Sequence, residues 1–318
     1  DGVARGLATV TTQSRNRLIT SLERISRAID AFPEVACRVA GVHLEGPYLS
    51  SQDGPRGAHP REHIRPPDFD EFQRFQQASG GRIRLLTLSP EYPESPEFIR
   101  QVVATGVLVS IGHTAATRDE LLAAIDAGAS LSTHLGNGCH GQLPRHPNSL
   151  WDQLADDRLT AMVIADGHHL PDEVLKCFVR CKRRQRILAV SDMTGMGGMP
   201  PGRYERTALG AVEVLENGRL VVAGQRQYLA GAAAPLWQAI ARLTNATDLS
   251  LSEAIEACTL RPADLFRESI EPSSDPTECC AALLDIRTST EESTGSPKIR
   301  IELVGFVRDG RLRRFGAD

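Results

Sequence analysis

Five apolar runs of the chain end in residues that can bind a cation or move a proton. GVHLEG closes on Glu45, VSIGHT on His113, STHLGN on His134, VIADGHH on Asp166, His168 and His169, and LAVSD on Asp192. One carboxylate and two imidazoles, Glu45, His113 and His134, make a three-ligand set that leaves a coordination position for water, as a catalytic rather than a structural metal requires. A cation there would lower the pKa of its water toward about 7. Asp192 would take the proton as general base and return it as general acid. Each residue alone has a plainer reading. A strand-end histidine is commonly a satisfied hydrogen-bonding group, and a glutamate before Gly46-Pro47 can accept from the amides of the turn. Four such residues in register weigh against coincidence. His43 alternates with Glu45 and shares its face, which reads as a packed core histidine. His63, His140 and His146 fall in loops and take no role.

Elements of two kinds must position these residues. Leu18, Leu22, Ile25, Ile29 and Phe32 recur at helical spacing. Apolar runs at 6–12, 39–46, 82–90, 106–114, 130–137, 159–167 and 186–192 read as buried strands. Helices are predicted between most of them: over 96–105 with Ser95 as cap, 117–128 with a glycine stop, and 171–181. Repeated βα units of buried strands imply a parallel sheet. The fold class is therefore α/β, a (β/α)8 TIM-like barrel whose first strand is missing from this chain, with active groups at the C-terminal strand ends. A doubly wound open sheet is the alternative, and no G-x-G-x-x-G follows the first strand to support a dinucleotide site. Past residue 205 the pattern changes. Residues 208–224 alternate around Asn217-Gly218, a hairpin signal. Helices follow near 233–244, 252–258 and 262–267, 271–278 and 287–297 are polar and loop-like, and 297–312 reads as two strands turning at Asp309-Gly310. The expected division is a barrel over 1–270 and part of a small β annex over 271–318.

The 318 residues suit one large domain with an annex. With 36 basic and 40 acidic residues, nothing argues for nucleic-acid binding. The run Lys182, Arg183, Arg184, Arg186 reads as the solvated end of a helix. The sequence contains no apolar run of membrane-spanning length, and the first thirty residues lack a signal-peptide pattern. Seven cysteines without zinc-site spacing, including Cys177, Cys181 and the adjacent Cys279 and Cys280, read as reduced, buried thiols of a cytoplasmic protein.

GVHLEGPYLS with RGAHP, then SIGHTAA, THLGN, ADGHH, AVSD and LAGAAAPL occur in this order. As an ordered set, from about residue 6 to about 270, they resemble the N-acetylglucosamine-6-phosphate deacetylases of the amidohydrolase superfamily. The resemblance implies metal ligands Glu45, His113 and His134, and Asp192 as catalytic base and acid. It implies that His59 contacts the acetamide carbonyl, that Asn137 and Gly138 supply backbone contacts, and that His169 touches substrate. It implies that Arg145, eleven residues past His134, clamps the phosphate across a homodimer interface into the neighbouring site; a guanidinium fork suits that task. The implied reaction converts N-acetylglucosamine 6-phosphate to glucosamine 6-phosphate and acetate, with metal-bound hydroxide attacking the acetamide. Zinc is the expected divalent ion, iron and manganese being compatible with the same ligands; one ion or two is left open. Other readings are an amidohydrolase of another N-acyl sugar, N-acyl amino acid or cyclic amide, and a non-catalytic sugar-binding relative.

Three departures bear on that resemblance. No histidine precedes His43, so the family's first strand is absent and the chain is expected to be part of a longer one. Gly136-Asn137-Gly138-Cys139 replaces an aromatic-Asn-Ala-Met run, giving a smaller, more flexible site floor. MTGMGGMPPG over 193–202 reads as a mobile loop or lid.

Overall fold

The computed structural model describes residues 3–207, 210–267, 281–290, 297–308 and 311–315. The expected turn at Asp309-Gly310, the loop 271–278 and the Cys279-Cys280 pair lie outside these residues. In chain order come β1 (Gly6–Thr11), α1 (Arg15–Ala31), α2 (Pro33–Ala36), β2 (Val39–Glu45), α3 (Phe69–Ala78), β3 (Ile83–Leu88), α4 (Ser95–Ala104), β4 (Leu108–Ile111), α5 (Arg118–Asp126), β5 (Leu131–Ser132), α6 (Ser149–Ala155), β6 (Thr160–Ile164), α7 (Asp172–Lys182) and β7 (Ile187–Val190). These seven strands form one sheet in chain order, and the pairings from β1 to β6 are all parallel. The chain divides into two compact units, Arg5–Met162 and Val163–Asp318, the latter with Asp1–Ala4.

In the first unit the strand pleat sorts the residues. Val10, Leu44, Leu86 and Val109 are in register across β1 to β4. They join Val42, Leu88 and Ile111 in a core shared with Leu18 and Leu22 of α1, Phe72 and Phe75 of α3, Phe98 and Ile99 of α4 and Leu121 of α5. Each such buried side chain contributes about 1.5–3 kcal/mol, so this face holds the unit together. The alternate positions are polar. Thr9 pairs with His43, Glu45 with Thr87, and Thr87 with Ser110. His43 bridges Thr9 Oγ1 at 3.3 Å and Thr87 Oγ1 at 2.7 Å; Thr87 meets Thr133 at 2.7 Å, which meets Ser110 at 2.6 Å. His43 is thus a packed histidine on the polar face it shares with Glu45, half-buried and bonded through both ring nitrogens, and desolvation pushes its imidazole down to about 4.

Two strands end earlier than expected, at Ile111 and Ser132. A Cβ on Gly112 would lie 2.7 Å from Thr133 Cβ, and His113 and His134 adopt φ of 50° and 30°, outside the strand region. Helix α4 also differs. Its N-cap is Glu94, with Ser95 already inside the helix and its buried hydroxyl without a hydrogen-bond partner among the described residues. Thr117 does cap α5, in a reciprocal box with Glu120.

In the second unit, α7 corrects the reading of the basic run. Lys182 is fully buried. It follows Leu175, Phe178 and Val179 on one helical face, so its position on that stripe and its long aliphatic stem override its place in a charge run. Beyond β7 come β8 (Gly202–Thr207), β9 (Gly210–Val214), β10 (Leu220–Val222) and β11 (Gln225–Leu229), an antiparallel sheet in the order β11-β10-β9-β8. The hairpin expected at Asn217-Gly218 joins β9 to β10. The segment expected as a lid is tied to this sheet: Met196 is buried against Val212, Val214, Leu220 and Ala230, and Thr194 N donates to Ala232 O at 2.9 Å. Helices α8 (Trp237–Ala246), α9 (Leu251–Cys258) and α10 (Leu260–Leu265) precede a second antiparallel sheet of β12 (Ala281–Thr290), β13 (Pro297–Arg308) and β14 (Arg311–Arg314).

Among the described residues no helix is long and apolar enough to cross a membrane. The cysteines are not uniformly buried. Cys37, Cys177 and Cys181 are exposed, Cys139 is half-buried and Cys258 is buried; none of these five forms a disulfide. Cys177 and Cys181 lie on the solvent face of α7, opposite the Leu175 stripe.

Candidate metal centre

Glu45 ends β2, and the chain can turn there because Gly46 sits at φ 80°, where a Cβ would fall 2.2 Å from Thr12 Oγ1. His113 and His134 stand two residues past β4 and β5. Their left-handed backbones cost about 1–3 kcal/mol each, and they turn both rings toward Glu45. Glu45 Oε1 lies 3.0 Å from His113 Nε2 and 3.2 Å from His134 Nε2, and the two nitrogens are 3.0 Å apart. The rings are nearly perpendicular, at 89°. His59, on the loop after β2, has its Nε2 3.2 Å from His113 Nε2 and 3.9 Å from Glu45 Oε1. Ligand atoms of Glu45, His59 and His113 all lie within 4.8 Å of one another. Arg65 closes the loop that carries His59: its N–H donates to Pro47 O, and its guanidinium pairs with the buried Glu71, which Tyr48 also meets.

The ring tautomers follow from what the other nitrogens touch. His113 Nδ1 lies 2.8 Å from Pro55 O, a pure acceptor, so Nδ1 carries a hydrogen, and in the neutral ring Nε2 then presents a lone pair. Thr12 Oγ1 donates to Glu45 O and accepts from His59 Nδ1 at 2.9 Å, so His59 Nε2 is also a lone pair. Burial, then the neighbouring His113, hold the His59 imidazole down at about 3, so it is neutral. An anion and converging imidazole lone pairs, all 5–7 % exposed, repel one another unless a cation lies among them. The spacings of 3.0–3.2 Å approach the about 3.3 Å edge of a tetrahedral zinc site with bonds of about 2.0–2.1 Å. The residues present therefore fit a divalent cation.

Two glycines shape this cluster. A Cβ on Gly57 would lie 3.2 Å from the His113 ring, and one on Gly138 would lie 2.8 Å from it. Gly138 O accepts from Thr114 N, and Asn137 is folded back on His134, both its N–H groups donating to His134 O. Asn137 and Gly138 help line a small cleft with His113, Thr133, Cys139 and Gln153. Arg145 stands exposed on the loop between β5 and α6.

His169 and Asp192 belong to the second unit. His169 Nδ1 meets Asp166 Oδ2 at 2.7 Å, and Asp166 Oδ1 accepts from the amides of His168 and His169. Burial would raise the Asp166 carboxyl, but His169 and the two amides hold it at about 2. Asp192, past β7, sits at φ 48° with its carbonyl accepting from Ala232 N at 3.1 Å. Sequence reading gave Asp166 no role; its signal was the Asp-Gly turn, whose side chain caps the next two amides. Thr12 was also missed, and Pro55 acts through a carbonyl that no sequence pattern marks.

The Asp166 contact has a pH signature. A carboxyl at about 2 when folded, against an ordinary 3.8, stabilises fully above about pH 4 and loses that stabilisation as pH falls toward 2. Asp166→Asn is expected to cost about 1 kcal/mol at pH 6, after discounting for solvent screening, and much less at pH 2.5. Urea midpoints of both proteins at the two pH values check this; a difference unchanged between them would refute it.

No protein-family model matches the chain. It is 33% identical over 267 residues to N-acetylgalactosamine-6-phosphate deacetylase of Escherichia coli O157:H7, covering 84% of this chain and 68% of that protein. It is 30% identical over 269 residues to N-acetylglucosamine-6-phosphate deacetylase of Lysinibacillus sphaericus, covering 84% and 67%. Among solved structures, a mutant N-acetyl-D-glucosamine-6-phosphate deacetylase from Mycobacterium smegmatis, in complex with N-acetyl-D-glucosamine-6-phosphate, superposes with a TM-score of 0.79 at 26% identity over 97% of this chain and 76% of that one.

Proposed function

The chain belongs to the N-acetylglucosamine-6-phosphate deacetylase family, and we propose that it is a metal-dependent amidohydrolase that removes acetate from N-acetylglucosamine 6-phosphate. The single observation that carries the reading is the convergence of Glu45 Oε1 and the Nε2 atoms of His113 and His134 within 3.0–3.2 Å. These three hold the cation, zinc being the expected ion with iron or manganese compatible. When bound, such a cation polarises a carbonyl and makes water a nucleophile near neutral pH. Asp192 takes the proton that water gives up, then delivers it to the departing amine nitrogen, so that acetate and glucosamine 6-phosphate leave. His59 contacts the acetamide oxygen by carrying its proton on Nε2, Thr12 then donating to Nδ1 instead of to Glu45 O. His169, oriented by Asp166, and the backbone of Asn137 and Gly138 bind the sugar.

Arg145 supplies the phosphate clamp, reaching a neighbouring site in a homodimer. Its exposure on the loop between β5 and α6 supports this. The architecture proposed is a (β/α)8-type barrel over 1–270 with part of a β annex over 271–318. The thiols described above suit the cytoplasm, whose reducing conditions keep cysteines unpaired. Acetate release from N-acetylglucosamine 6-phosphate tests the reading, and Arg145→Ala is expected to raise KM about 10-fold or more with kcat changed far less. Equal turnover of the sugar with and without its phosphate would move the substrate to another N-acyl compound. Because a relative at 33% identity acts on the galactosamine epimer, that sugar phosphate belongs in the same assay.

A further inference from the structure

The loops that carry the metal cluster meet at a carboxylate to which the functional reading gives no role. Glu91 lies three residues past β3. Its Oε1 accepts from Ser50 Oγ at 3.1 Å and from Gln52 Nε2 at 3.2 Å. Its Oε2 accepts from Ala115 N at 3.0 Å and from the Ser89 hydroxyl. Ser50 and Gln52 belong to the loop that runs from Glu45 to His59, and Ala115 lies two residues past His113. Ser50 N also donates to His113 O at 3.0 Å, and Ser89 Oγ lies 2.8 Å from Thr114 Oγ1. Ser50, Ser89 and Thr114 are buried.

We propose that Glu91 is a positioning residue for the metal centre, its carboxylate fixing the loop after β4 against the loop after β2 so that His113 holds its Nε2 toward Glu45. The inference rests on the reading that the cluster binds a divalent cation. Four donors converge on Glu91, and only an acceptor with two lone-pair-rich oxygens satisfies them all. A glutamine keeps one oxygen only, so one pair of these donors, Ser50 and Gln52 or Ala115 and Ser89, meets an amide N–H in place of an acceptor. His113 keeps a left-handed backbone at φ 50°, a conformation that persists only where its surroundings fix it. Losing a group that orients a metal ligand typically weakens affinity or activity about 10–100-fold.

The experiment measures zinc affinity by chelator competition, steady-state kinetics and the melting temperature of metal-free protein, for wild type, Glu91→Gln, Ser50→Ala and Asp68→Ala. Asp68 caps α3 through Glu71 N, and among the described residues no hydrogen bond joins it to Glu91 or His113. Glu91→Gln is expected to lose about 10–100-fold in zinc affinity, with kcat falling while KM stays within about 2-fold. Ser50→Ala, which removes one donor, is expected to lose about 3-fold in affinity. Asp68→Ala is expected to lower the melting temperature without changing zinc affinity. Wild-type affinity in Glu91→Gln, or an equal affinity loss in Asp68→Ala, overturns the positioning role while leaving the functional reading intact. A Glu91→Gln protein that does not fold leaves the decision to Ser50→Ala, where unchanged affinity overturns it. Wild type that binds no zinc, iron or manganese overturns the functional reading and this inference together.

Discussion

Glu45→Gln is expected to yield a folded protein that has lost most of its metal and nearly all of its activity. The substitution keeps the shape of the side chain, and its amide N–H can donate to the Nε2 lone pair of His113 or His134, so the apo cluster loses its repulsion and gains a hydrogen bond. What disappears is the only anion among the described ligands, 3.0 and 3.2 Å from the two imidazole nitrogens. Removing one charge from a buried, compensated group costs about 3–5 kcal/mol. That corresponds to about 10²–10⁴-fold in metal affinity and at least as large a fall in kcat/KM. Elemental content and kinetics of the variant check both numbers. A variant retaining metal and turnover would remove Glu45 from the ligand set, and the polar face of β2 would then need another explanation.

Asp192→Asn is expected to keep its metal and lose kcat by about 10²–10⁴-fold, the range for a removed general base and acid. The variant is a clean test because of the backbone. Asp192 sits at φ 48°, and asparagine tolerates the left-handed region about as well as aspartate. The bond from Ala232 N to the Asp192 carbonyl does not involve the side chain and persists. Unchanged metal content with KM within about 3-fold separates a lost proton carrier from a disturbed fold. Undiminished kcat would show that another group moves the proton.

The chemistry of the site was legible in the sequence where it followed strand alternation. Glu45 lies two residues past His43 and opposite the apolar Leu44, so the pleat alone assigned its face. His113 and His134 were legible as strand-end groups, but their geometry was not. Their runs looked like continuous strands to 114 and 137, whereas steric contact at Gly112 and the left-handed histidines end the strands at Ile111 and Ser132. His59 was legible only through a resemblance, and its position 3.2 Å from His113 depends on a loop path without periodicity. Pro55 and Thr12, which set the tautomers, act through a backbone carbonyl and one hydroxyl among many. Lys182 was misread because a local charge run was weighed above its helical spacing from Leu175 and Phe178. The four-stranded sheet from β8 to β11 showed only its Asn217-Gly218 hairpin, since β8 alternates charged residues with no apolar face to reveal it.

The most direct test of the account is the metal content of the purified chain, measured together with acetate release from N-acetylglucosamine 6-phosphate before chelation, after it, and after zinc is restored. The account predicts about one divalent cation per chain in a three-ligand site, activity lost as that cation is removed and recovered when it returns. Full turnover by protein shown to hold no metal would contradict it.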